Sequence, residues 1–252
     1  MIELKTKEDI DKLRTANKIV AEILHYLKEI TKPGITGVDI DKIAREETKK
    51  RGVKPAFLGL YGFPASICVS INEEIIHGIP KNKPIKEGDI VSLDFGVVYE
   101  GWYGDAAISF VVGDKISDRK RRLLEGVETA LMEGIKACQI GNSLRDVARA
   151  IEQTLKKYRL APICDYGGHG IGRKPHEDPH VSNCVINAEN IKIKAGMVLA
   201  IEPMATLGKR TNYYRKLKDG WTVVSKDKSL AAHFEHSIAI TENGVEILSK
   251  LD

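Results

Sequence analysis

A chain of 252 residues, 42% hydrophobic and 29% charged, has room for one large domain or two small ones around a sizeable core. Its 39 basic and 35 acidic residues leave a net charge of +4, and no Lys/Arg run interleaved with aromatics argues for specific nucleic-acid recognition. No apolar run approaches the ~18 residues of a membrane span and the start, MIELKTKEDIDKL, is too charged for a secretory leader, so a cytoplasmic chain without membrane partners is expected.

Thr6, with Asp9 three residues on, opens an amphipathic helix with apolar positions at Ile10, Leu13, Ile19, Ile23, Leu27 and Ile30, and Pro33-Gly34 ends it. A second helix is expected over about 38–50, then a loop rich in Pro and Gly, then a β-like stretch at 66–71. Residues 90–98 and 105–112 flank a short Glu100-Gly101 turn, the pattern of an antiparallel hairpin. The basic run Asp118-Arg119-Lys120-Arg121-Arg122 reads either as a solvated helix start or as a surface for the ribosome. Cys68, Cys138, Cys164 and Cys184 are widely spaced without a CxxC pair, so reduced thiols are expected rather than a zinc knuckle or a disulfide framework.

The second half repeats the first. Gly34, Thr36, Asp39 and Ile40 answer to Gly141, Ser143, Asp146 and Val147 at a constant offset of 107, and KEGDIVSLD, ending at Asp94, answers to KAGMVLAIE, ending at Glu202, at 108. This order suggests a duplication: one catalytic domain, 1–252, of two pseudo-symmetric halves, about 1–115 and 116–252, that share one central cleft.

Five residues fall where such a cleft would gather them: Asp94, Asp105, His169, Glu202 and Glu235. Asp94 and Asp105 share a face of the hairpin if its loop has an even number of residues, because side chains alternate along a strand. An aspartate in an otherwise apolar strand is costly to bury unless paired or metal-bound. Taken singly, each of the five also has a plain reading: a solvated strand-end aspartate, a structural histidine in a glycine loop, or a surface glutamate. Together, four carboxylates and an imidazole balance two divalent cations, and the oxygen-rich set suits Fe, Mn, Co or Zn. His236 should point away from Glu235, whereas His233 shares its parity.

The segments SINEEIIHGIP, SLDFG, GDAAISF, GHGIGRKPHEDP, AIEPM and DGWTVVSKDKSLAAHFEHS occur in the order found in type I methionine aminopeptidases, and the chain resembles that family over essentially its whole length. The resemblance implies an α+β pita-bread (creatinase/aminopeptidase) fold with a pseudo-twofold, a curved antiparallel sheet and outer helices. It implies removal of the initiator methionine from nascent polypeptide N-termini, favouring a small second residue, by a monomer in transient contact with the ribosome. Carried over by motif, Asp94, Asp105, His169, Glu202 and Glu235 are the metal ligands, Asp105 and Glu235 bridging, and Glu202 also handles the proton of the attacking water. His77 and His176, which the residues alone leave as structural, become substrate-contacting catalytic groups. The methionine pocket draws on Phe57, Leu60, Phe63, Cys68 and Trp221, while Pro175 stands where the family often carries a larger apolar residue. A Na or K ion is implied near Asn72, Glu74 and Ser229.

Two other readings keep the fold: an Xaa-Pro aminopeptidase or prolidase, which usually carries a further N-terminal domain, and a non-enzymatic binding protein. The start of the chain, without a Cys-rich extension, fits the bacterial-type enzyme.

Overall fold

The computed structural model describes residues 2–251. Helices α1 (Lys7–Ile30) and α2 (Gly37–Lys50) start on capping boxes: Thr6 and Thr36 accept from the backbone N–H of Asp9 and Asp39, whose carboxylates accept from the threonine N–H in return. Each box satisfies N–H groups the helix leaves open, and replacing such a threonine by alanine costs about 1 kcal/mol. After α3 (Asp118–Ala137), helix α4 (Leu144–Lys157) repeats the device with Ser143 and Asp146. Thr36 and Ser143 also make equivalent isolated bridges, to Pro84 and Lys192.

The main sheet is nine-stranded and antiparallel. Its labelled strands are β1 (Ile67–Ile71), β2 (Ile90–Tyr99), β3 (Trp102–Val111), β4 (Gly167–Gly170), β5 (Glu177–Ser182), β6 (Val198–Ile201), β7 (Glu235–Thr241) and β8 (Gly244–Ile247). The path runs from the short strand Lys54–Pro55 through β2, β3, β7, β6 and β4 to β5, with β1 also on β2 and β8 also on β7. Two three-stranded sheets flank it, one joining Ala161–Pro162, Met204–Thr206 and Ala231–His233, the other Glu74–Ile76, Val223–Ser225 and Tyr214–Lys216.

The helices cover one face of the large sheet. Val91, Leu93, Phe95 and Val97 of β2 pack with Val20, Ile23, Leu24 and Leu27 of α1, and Leu199, Ile201 and Ile238 of β6 and β7 pack with Val127, Leu131 and Ile151 of α3 and α4. Burying each such side chain stabilises the fold by roughly 1.5–3 kcal/mol. Because side chains alternate, the residues between them face the opposite side, where the cavity lies. Among the described residues, no helix is long and apolar enough to cross a membrane.

The expectation of four reduced cysteines is corrected: Cys164 and Cys184 form a disulfide, with their Cα atoms 5.2 Å apart. Spacing along the chain hides the reason. β4 and β5 pair antiparallel with Gly167 opposite Ser182, so the loops just outside that pair bring the two thiols together. The resulting ring of chain encloses His169 and His176. Cys68 and Cys138 are free and buried.

Candidate metal centre

The loop between β2 and β3 is the two-residue turn Glu100-Gly101, and the register pairs Asp94 with Ala107 and Gly96 with Asp105. Both carboxylates therefore stand on one face, as the parity of the hairpin requires. Helix α1 fixes the second of them. Its buried Asn17 accepts from the Asp105 N–H at 3.1 Å and donates to Leu13 O at 2.9 Å. Gly104 permits this approach, since a Cβ there would lie 2.7 Å from the Ala16 carbonyl carbon.

Glu235 opens β7 opposite Ala107, alongside Asp105. His169 lies on β4 opposite Ala200 of β6, the strand that delivers Glu202 just beyond its end. The β4–β6 contact is tight enough that a Cβ on Gly168 would sit 2.0 Å from Ala200 O. Gly168→Ala is therefore expected to destabilise the protein by about 1–3 kcal/mol and to lower activity by displacing His169. A thermal unfolding midpoint equal to wild type would contradict this.

His169 Nδ1 is 2.9 Å from the Gly170 carbonyl oxygen. That contact requires the proton on Nδ1 and leaves the Nε2 lone pair facing Glu202 Oε1, 3.6 Å away. An imidazole so anchored through its second nitrogen is set up as a metal ligand.

A cavity of about 150 Å³ is lined by all five candidate ligands together with His77, His176, Phe57, Leu60, Phe63, Cys68 and Trp221. Every residue expected at the metal and substrate positions thus borders one space. Phe57, Phe63 and Cys68 cluster with Leu60 and Trp221 as its apolar end, where the Phe63 and Trp221 rings meet edge-on at 5.1 Å. His77 takes a positive φ of 56° and turns its ring edge-on toward Trp221. His176 sits at the rim, edge-on to His169 at 4.5 Å. Pro175 is buried and does not line the cavity.

The carboxylates are crowded. Burial raises Asp94 to about 7 and Glu202 to about 8. Burial, reinforced by the neighbouring acidic groups, raises Asp105 and Glu235 well above the carboxylate range. Burial also pushes His169 down to about 3 and His77 to about 4, so both imidazoles are neutral near pH 7. Asp105 Oδ1 and Glu235 Oε1 are buried without a hydrogen-bond partner. Orphaned carboxylate oxygens beside neutral imidazoles are what a cation would satisfy. Asp105, His169 and Glu235 have ligand atoms within 4.8 Å of one another, and so do Glu202, His233 and Glu235. Glu235 is common to both groups, and the oxygen-and-imidazole donors around it suit the divalent first-row metals named above.

Tyr61 escaped the sequence reading, and His233 was noted there only for its parity with Glu235. Tyr61, at φ 50°, lines the cavity and stacks on His176 with ring centroids 6.0 Å apart; nothing in LYGFP signalled it. His233 stands behind Glu202, and its parity with Glu235 was the available signal. His236 faces away, its Nδ1 2.8 Å from Ser249 Oγ. Asn72 O accepts from Ala231 N at 2.8 Å, Ser229 O accepts from Ser225 Oγ at 2.8 Å, and Glu74 accepts from Ile71 N at 3.0 Å, which puts protein donors on all three of these residues.

The model of metallopeptidase family M24 matches residues 11–242. The chain is 48% identical to a methionine aminopeptidase of Aquifex aeolicus, covering 99% of both chains. A methionine aminopeptidase structure from Thermotoga maritima superposes with a TM-score of 0.95 at 44% identity, covering 100% of each. Prolidase from Pyrococcus furiosus, at 24% identity and a TM-score of 0.78, shares the fold over 99% of this chain and 66% of its own. The α+β pita-bread architecture is thereby established, and the chain belongs to metallopeptidase family M24, among its methionine aminopeptidases.

Proposed function

We infer that the protein is a metal-dependent aminopeptidase that removes the initiator methionine from nascent chains and favours a small second residue. The observation that carries this reading is the continuity of one cavity from the carboxylate cluster to the apolar end of Phe57, Phe63, Cys68 and Trp221. A thioether is flexible and polarisable and suits such a wall.

Asp94, Asp105, His169, Glu202 and Glu235 would hold two divalent ions of Fe, Mn, Co or Zn. Such ions supply Lewis acidity toward the scissile carbonyl and lower the pKa of water toward neutrality. Glu202, a carboxylate whose buried site raises its proton affinity, accepts the proton of the attacking water and returns it to the departing nitrogen. His77 and His176, whose protonation burial disfavours, donate N–H groups to substrate without adding charge. A free α-amine has a pKa of ~7.7–8.0, so the neutral form that the site binds is close at hand.

The proposal extends to one domain of two halves, about 1–115 and 116–252, supported by the recurring capping boxes and bridges. It includes a cytoplasmic monomer that meets the ribosome transiently, supported by exposed Arg215 and Lys216 on one flanking sheet and by the net charge of +4. A Na or K ion near Asn72, Glu74 and Ser229 completes it, supported by the likeness to methionine aminopeptidases over the whole chain.

Chelated protein titrated separately with Fe, Mn, Co and Zn should release methionine from Met-Ala-Ser only when metal is added. Preference for an Xaa-Pro peptide would move the activity to the prolidase reading. No hydrolysis with any of the four would leave a binding protein.

A further inference from the structure

We propose that His233 is a positioning residue that donates a hydrogen bond from Nε2 to Glu202 and holds that carboxylate in line for proton transfer. The proposal rests on the aminopeptidase reading of the site. Three observations carry it. His233 Nε2 is 3.3 Å from Glu202 Oε2, while His169 Nε2 is 3.6 Å from the other oxygen, so Glu202 is flanked by two imidazoles. His233 Nε2 is buried and makes no other hydrogen bond; at 3.3 Å from Glu202 Oε2 it is within range of one and lacks only the alignment. The backbone of His233 is fixed independently: its N–H donates to Ser109 Oγ at 2.9 Å, and that hydroxyl donates to the His233 carbonyl at 2.7 Å.

The two imidazoles differ in their surroundings. His169 anchors Nδ1 on the Gly170 carbonyl and offers a lone pair at Nε2. His233 does not line the cavity, and its Nε2 faces Glu202, so it is placed as an N–H donor to that carboxylate rather than as a ligand beside the ions. The side chain is 2% exposed, which keeps water from taking its place.

His233→Ala should lower kcat for Met-Ala-Ser about 10- to 100-fold, the usual effect of removing a residue that orients a ligand, with KM within about threefold. His233→Gln, which keeps an N–H donor, should recover most of the loss. Both variants should bind as many Co(II) ions by calorimetry as the wild-type protein. In the zinc-loaded wild-type protein, the nitrogen NMR spectrum of His233 should show the proton on Nε2. The proposal is overturned by a proton on Nδ1, by an unchanged kcat in His233→Ala, by a glutamine variant no better than alanine, or by loss of a bound ion. Failure of the wild-type protein to cleave Met-Ala-Ser would instead overturn the aminopeptidase reading.

Discussion

Replacing Glu235 with alanine is expected to lower turnover of Met-Ala-Ser by about 1,000-fold or more and to reduce the number of tightly bound divalent ions. Glu235 belongs to both groups of potential ligands, is 3% exposed and has an unpartnered carboxylate oxygen. Its loss therefore removes an oxygen donor from the middle of the cluster. A bound ion contributes several kcal/mol to transition-state stabilisation, and each 1.36 kcal/mol is tenfold in rate. The same substitution should raise the melting temperature of the metal-free protein, because Glu235 crowds against Asp105, Glu202 and Asp94. Turnover within tenfold of wild type, measured with saturating metal, would remove Glu235 from the centre.

The metal-free protein is expected to lose stability as pH rises from about 6.5 to 8. Asp94 and Glu202 lie at about 7 and about 8 in the folded state, against ordinary values of 3.8 and 4.5. The folded chain thus holds protons in that window which the unfolded chain has already released. Their contribution is fully present below the unfolded values and disappears as pH climbs through the folded ones. The depressed histidines act oppositely, but their contribution is lost below 6.5, as pH falls toward about 4 for His77 and about 3 for His169. Above 6.5 the carboxylates decide the sign, at up to about 1.4 kcal/mol per pH unit for each excess proton. Divalent ions displace those protons, so metal-loaded protein should show a much smaller loss. Melting of chelated and loaded protein at pH 6.5 and 8 tests this, and a chelated protein that is more stable at pH 8 would contradict it.

Much of the centre was legible because two local rules place it. Strand alternation and a two-residue turn put Asp94 and Asp105 on one face without any knowledge of the rest of the chain. The offset of 108 located Glu202 at the position corresponding to Asp94, although Asp94 lies within β2 and Glu202 just past the end of β6. His169 had no comparable local signal: glycines around it say that something passes close, and only the β4–β6 pairing says that it is Ala200. The family motifs, rather than periodicity, singled it out. The Cys164–Cys184 bond, the stacking of Tyr61 on His176 and the approach of His233 to Glu202 all join segments far apart in sequence through packing, which a pattern along one chain does not encode.

The sheet crosses from β3 to β7 through a register of two residue pairs, Glu235 with Ala107 and His236 with Ala106, supplemented by the Ser237 hydroxyl donating to Asp105 O at 2.8 Å. β2 and β3, by contrast, are paired along ten positions. The join between the strands that carry Asp105 and Glu235 is thus a narrow one, as short as those of β4 with β6 and of Lys54–Pro55 with β2. An ion held by both would act as a rivet across that seam, so the same coordination that prepares the peptide bond for cleavage would also fasten the early part of the chain to the late part.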